Sequence, residues 1–150
     1  MWFHVPSDDP RCFTRTPPET LEQRLTDARV ALNQEGPVAA YESLSHGFTN
    51  NVPYLGPAFF TKFLFFAVAN PPGIKPQPLI LDSRVAQTLR TKYCWSIGSA
   101  NWPSAKYAQY LEFVSKVCRA NPETTPEEVE FALFDGGRTE GIRLPSCGSE

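Results

Sequence analysis

Apolar positions recur at helical spacing along most of the chain, and prolines and glycines punctuate them. Leu21, Leu25, Ala28 and Leu32 fall on one face of a helix that Pro18 or Glu19 opens, with Thr16 as its cap and Gly36 as its stop. Pro37 suits the first turn of a second helix, through Val38, Tyr41 and Leu44 to about His46, where Gly47 ends it. Residues 48–55 form a polar turn containing proline. Gly56-Pro57 then opens a third helix over residues 58–69, ended by Asn70-Pro71-Pro72-Gly73. It is apolar on nearly every side, so it is expected to be the central one.

A loop with Pro71, Pro72, Pro76 and Pro78 leads to Leu79-Ile80-Leu81, after which Asp82 caps a helix with Val85, Ala86 and Leu89 facing inward. Residues 92–102 form a loop around Gly98, and Pro103 starts a helix with the stripe Tyr107, Tyr110, Leu111, Val114 and Val117. Pro126-Glu127-Glu128 makes the first turn of a last helix through Val129, Ala132, Leu133 and Phe134, stopped by Gly136-Gly137. No internal repeat and no period-two alternation are present. The class is all-α, a bundle of about six helices, with an irregular arm over 1–17, a domain over 18–137 and a tail over 138–150.

The length of 150 residues is enough for one domain with a real core. Four cysteines (Cys12, Cys94, Cys118, Cys147) contain no C-x-x-C pair, so neither a zinc site nor a disulfide framework is expected. Cys94 and Cys118 read as packed thiols in a reducing interior. Lys62 interrupts the apolar run 59–68, which argues against a bilayer span, and no secretory signal is visible; the expectation is a soluble cytoplasmic monomer.

A net charge of −2 argues against a polyanionic partner until its distribution is considered. Residues 60–120 carry eight basic side chains against Asp82 and Glu112, a net +6, flanked by −3 before and −5 after. A central block of one sign can attract phosphates. The alternative is that these side chains are scattered over all faces of the fold.

Three features carry candidate chemistry. In Tyr54-Leu55-Gly56-Pro57-Ala58-Phe59-Phe60-Thr61-Lys62, a helix, a tight turn and a second helix have the outline of a helix-hairpin-helix. Such a turn offers free backbone N–H groups at a helix start, where the dipole favours a phosphate. Lys62 lies among aromatic residues, where desolvation lowers an ammonium pKa and releases a nucleophilic amine; a snorkelling lysine is the bland alternative. Asp82, between Ile80-Leu81 and Ser83-Arg84-Val85, is a helix cap that could also steady a cationic sugar or manage protons.

The run from Leu55 to Leu64, followed by Leu79-Ile80-Leu81-Asp82-Ser83-Arg84-Val85, resembles the helix-hairpin-helix DNA glycosylase superfamily, and more narrowly bacterial proteins with an 8-oxoguanine DNA glycosylase fold. Trp102-Pro103, Tyr107-x-x-Tyr110 and Glu130-x-x-Leu133-Phe134 are weaker echoes. The resemblance implies DNA repair by base excision: a damaged base is flipped from the duplex, a hairpin lysine attacks the anomeric carbon and an aspartate at the next helix start assists. Carried over by position, these fall on Lys62 and Asp82. The chain departs from the pattern in two ways. The familiar lysine position is Ala58, one helical turn before Lys62, and the first hairpin glycine is replaced near Tyr54.

Leu55, Gly56, Ala58 and Arg84 are the expected DNA contacts; Lys92 reads as solvated surface and His46 as structural. Phe59, Phe66, Trp95, Trp102 and Tyr107 are the candidates for stacking an extruded purine. No metal or organic cofactor is expected, beyond a monovalent cation that the hairpin could hold. Double-stranded DNA with a modified base is the expected partner, 8-oxoguanine the nearest substrate, and strand cleavage by lyase chemistry stays open. The alternatives are a non-catalytic helix-hairpin-helix module for modified or foreign DNA, and a protein-interaction scaffold.

Overall fold

The computed structural model describes residues 16–67, 77–137, 141–145 and 147. Among them are six helices and no strand: α1 (Pro18–Glu35), α2 (Pro37–Leu44), α3 (Pro57–Ala67), α4 (Ser83–Lys92), α5 (Ser104–Ala120) and α6 (Pro126–Phe134). The expected all-helical class and helix count hold. Of the arm, residues 1–15 lie outside the described residues, as do the expected end of the third helix and the proline loop at 68–76.

The helix ends follow from local chemistry. Proline stands in the first turn of α1, α2 and α6, where a missing N–H costs nothing. Gly36, at φ 98°, separates α1 from α2 by adopting a conformation that side chains resist. Thr125 and Glu128 form a reciprocal capping box on α6. Thr16 does not cap α1: Pro17 holds the cap position without a side-chain bond, and Thr16 is buried. With Pro18 at the start, one of the donors a cap would satisfy is absent. The second helix also ends at Leu44, short of the expected His46, because Ser45 is already extended at ψ 157°.

α5, rather than α3, is the spine. It packs on α2 at one side and on α6 at the other; α1, α2 and α3 form one group, and α4 lies against α6. Its inner stripe of Tyr107, Tyr110, Leu111, Val114 and Val117 is buried along a helix of 17 residues. α3 uses only Phe60, Thr61 and Leu64 as fully buried positions, while Ala58 and Phe66 remain exposed. An apolar composition gives a helix several faces that can be covered, and does not say which the fold will use. Tyr41 joins the groups, stacking on Tyr107 at 4.3 Å and meeting Phe60 edge-on at 4.9 Å. Its hydroxyl donates to the Trp102 carbonyl.

Within the expected tail, residues 141–145 are docked. Asn121 accepts the Arg143 N–H at 2.8 Å and donates to the Arg143 carbonyl at 2.9 Å, and Ile142 and Leu144 pack on the core. The cysteine expectation is also corrected: Cys94 and Cys147 form a disulfide across 53 residues, and Cys118 is the free thiol among the described residues. Separation in sequence hid a pair that the fold brings together. No helix among the described residues is long and apolar enough to cross a membrane.

Candidate functional site

Between α3 and α4 the chain passes through Leu79-Ile80-Leu81 without regular secondary structure, and no strand among the described residues takes its backbone groups. Buried amides and carbonyls need partners, and here side chains supply them. The Tyr107 hydroxyl accepts the Leu79 N–H at 3.1 Å and donates to the Leu79 carbonyl at 2.8 Å. The Tyr110 hydroxyl donates to the Ile80 carbonyl at 3.0 Å, and Glu130 accepts the Ile80 N–H at 3.1 Å. Thr61 Oγ1 accepts the Leu81 N–H at 3.1 Å and gives its proton to the Pro57 carbonyl at 2.6 Å. Burial raises the phenol pKa of both Tyr107 and Tyr110, so they remain donors.

This latching delivers Asp82 to one place. Its Oδ1 accepts the N–H groups of Arg84 and Val85, each at 3.0 Å, as the N-cap of α4. Oδ2 has no hydrogen-bond partner among the described residues. No buried side-chain oxygen or nitrogen among them lacks a partner, so Oδ2 reaches solvent. One oxygen fixes the carboxylate and the other is open.

Lys62 follows Thr61 as Asp82 follows Leu81, so each lies one residue beyond a direct contact between their elements. The lysine is half-buried on α3, on a stripe with Ala58 and Phe66 at helical spacing. Among the described residues no hydrogen bond or ion pair engages its ammonium.

The expected hairpin lies just before α3. Gly56 accepts the Phe59 and Phe60 N–H groups at 2.9 and 3.0 Å. The N–H groups of Gly56 and Ala58 donate to nothing among the described residues, and both residues are exposed. Tyr54, in the place of the first hairpin glycine, has φ 69°, the left-handed region that glycine enters freely. Beside the turn is an open cleft of about 570 Å³, with His46, Phe48, Tyr54, Phe60 and Trp102 among its lining residues. Asn101, at φ 55°, contributes to the same wall.

Of the stacking candidates, Trp102 lines this cleft, though it is buried with its indole N–H held by the Gly98 carbonyl at 2.8 Å. Tyr107 is 0% exposed, and one face is covered by Tyr41, so it serves the core and offers no surface to a base. Trp95 packs edge-on against Phe113 at 5.6 Å, while Phe66 is exposed beside Phe65. Phe59 is half-buried at the start of α3, and Leu55 is half-buried in the turn. Arg84 is exposed, with its guanidinium 4.4 Å above the Phe134 ring. Lys92 is exposed at the end of α4, and His46 is an exposed part of the cleft rim.

Sequence reasoning missed Thr61 and Glu130. Burial pushes the Glu130 carboxyl up to about 7; the Ile80 N–H pulls it down, and the charges of Asp82 and Glu127 add to the rise. A polar residue inside the most apolar helix was the available signal for Thr61. For Glu130 the signal was its place in the Glu130-x-x-Leu133-Phe134 echo of the family pattern, to which no role was given.

Six helices without a strand among the described residues are consistent with a DNA-glycosylase-like domain. Residues 7–134 match the family described as putative 8-oxoguanine DNA glycosylase OGG-like protein, and the chain belongs to that family. No curated protein and no solved structure matches it.

Proposed function

We propose that the domain is a DNA N-glycosylase that removes an altered purine, oxidised guanine being the substrate nearest to its family's description. In this reading the exposed N–H groups of Gly56 and Ala58 hold a backbone phosphate at the start of α3, and Leu55 and Arg84 add contacts. The modified nucleotide is extruded from the duplex. The Lys62 amine forms a bond to C1′ as the C1′–N bond breaks. The bonding electrons leave with the base, which takes up a proton, and opening of the sugar ring gives an iminium. Asp82, fixed through Oδ1 and open through Oδ2, stabilises the positive charge that grows at C1′ and serves as proton relay. Water then releases the sugar from the lysine.

The observation that carries this reading is the Thr61–Leu81 hydrogen bond, which links the lysine's helix to the aspartate's segment one residue from each. The net positive stretch of 60–120 is consistent with a phosphate-bearing partner.

Borohydride reduction during reaction with duplexes carrying modified bases tests it. Wild type is expected to yield a covalent adduct with at least one lesion, and Lys62→Ala to yield none. Asp82→Asn keeps an oxygen for the α4 cap, so it should fold and bind DNA while turning over on the order of a hundredfold more slowly. Excision by Lys62→Ala at the wild-type rate would refute the mechanism. Salt-sensitive DNA binding without any adduct would make the domain a binding module instead.

A further inference from the structure

Glu130 reaches from α6 to the back of the segment that presents Asp82. Its Oε2 accepts the Ile80 N–H at 3.1 Å, and the Tyr110 hydroxyl holds the Ile80 carbonyl from α5 at 3.0 Å. Ile80 is therefore clamped at both polar groups, two residues before the carboxylate. The groups that bear on Glu130 electrostatically are Asp82, leading into α4, and Glu127 on its own helix, while Glu130 in turn bears on the phenols Tyr107 and Tyr110 of α5. The nearest cation of α4 by sequence, Arg84, is turned over the Phe134 ring. Among the described residues no ion pair engages Glu130.

The carboxyl is thus half-enclosed, faced by a second acid and tied to a backbone amide rather than to a cation. When ionised it makes a charge-assisted bond to Ile80 and places a negative charge behind Asp82. When protonated it holds Ile80 more weakly and stops repelling Asp82. Its elevation to about 7 puts both forms within the neutral range.

We propose that Glu130 is a positioning residue that acts through the Ile80 amide to set how Asp82 is presented, and that its proton makes this presentation change with pH. As regulation of the same site, this rests on the glycosylase reading for its effect on rate, but not for the coupling itself. Loss of the proton tightens the segment and adds negative potential where positive charge would develop, so the ionised form is the active one.

The coupling is read without substrate, from the amides of Ile80 and Val85 in the intact chain, followed by nuclear magnetic resonance across neutral pH. Val85 reports on Asp82, whose Oδ1 accepts its N–H. Both amides are expected to titrate together with a midpoint near 7, and both to lose that step in Glu130→Gln. A Val85 amide that does not share the Ile80 titration, or a step that survives in Glu130→Gln, would overturn the proposal. The rate is read separately by adduct formation. Glu130→Leu should be slower on the order of tenfold at every pH. Glu130→Gln, which keeps a neutral acceptor for Ile80, should hold the rate near that of wild type below pH 7 and lose the rise through neutral pH. Equal rates in Glu130→Leu and wild type would also overturn it. If no protein forms an adduct while the amides titrate together, the coupling stands and the excision chemistry falls.

Discussion

The two segments that flank α3 solve opposite problems. At 79–82 side chains from α3, α5 and α6 hold the backbone, and the result is a carboxylate with one fixed and one open oxygen. At 54–58 the backbone is left unsatisfied on purpose: the Gly56 and Ala58 N–H groups are free among the described residues, and Tyr54 accepts a left-handed conformation to keep the turn tight. The contrast teaches where precision is needed. On the proposed glycosylase reading, a group that acts on one atom has to be immobilised by its neighbours, whereas a contact to a repeating phosphate chain needs only exposed donors at a helix start.

If the latched segment depends on its side chains, removing one should cost far more than any change in the turn. Tyr107→Phe keeps the ring stacked on Tyr41 but leaves the Leu79 N–H and carbonyl buried without partners. It is expected to lower unfolding free energy by about 2–4 kcal/mol, measured by urea denaturation. A loss below about 0.5 kcal/mol would mean that solvent already reaches Leu79.

A middle-sized effect separates the segment from the turn by pH. Glu130 has its carboxyl raised from 4.5 to about 7 in the folded protein, so between those values the folded chain holds a proton that the unfolded chain has released. Stability contributed by that proton is present at low pH and is lost as pH rises through about 7. The loss should be of order 2 kcal/mol, allowing for the part of the carboxyl that water screens. Denaturation curves from pH 5 to 8 should show the decline in wild type and a flatter dependence in Glu130→Gln.

The smallest effect belongs to the turn. Tyr54→Gly relieves the left-handed backbone at φ 69° but gives up the contacts of a half-exposed ring and adds freedom to the unfolded chain. A net gain of up to about 1 kcal/mol in stability is expected. A net loss, seen as a lower melting temperature, would show that the ring's contacts outweigh the backbone strain.

Much of the fold was legible because proline and glycine mark the joints. Pro18, Pro37 and Pro126 sit in first turns, Gly36 divides α1 from α2, and Asp82 caps α4 as its position before Ser83-Arg84-Val85 suggests. What stayed hidden is whatever depends on partners distant in sequence. The Cys94–Cys147 bond and the Glu130–Ile80 contact each span 50 residues or more, and no local pattern encodes them. The uniform apolarity of α3 pointed to the centre of the molecule, yet the longer stripe on α5 took that place. Tyr107 read as a flat ring for stacking; its hydroxyl, which local periodicity does not weigh, commits it to Leu79 instead.

A single hydroxyl, that of Thr61, touches both the first turn of α3 and the backbone of Leu81. Tilting the helix to settle its amino end on a ligand must therefore either drag the neighbouring chain with it or break that bond. Grip at one end and aim at the other are geared together, and Thr61→Val would strip the gear by leaving the buried Leu81 N–H without its partner.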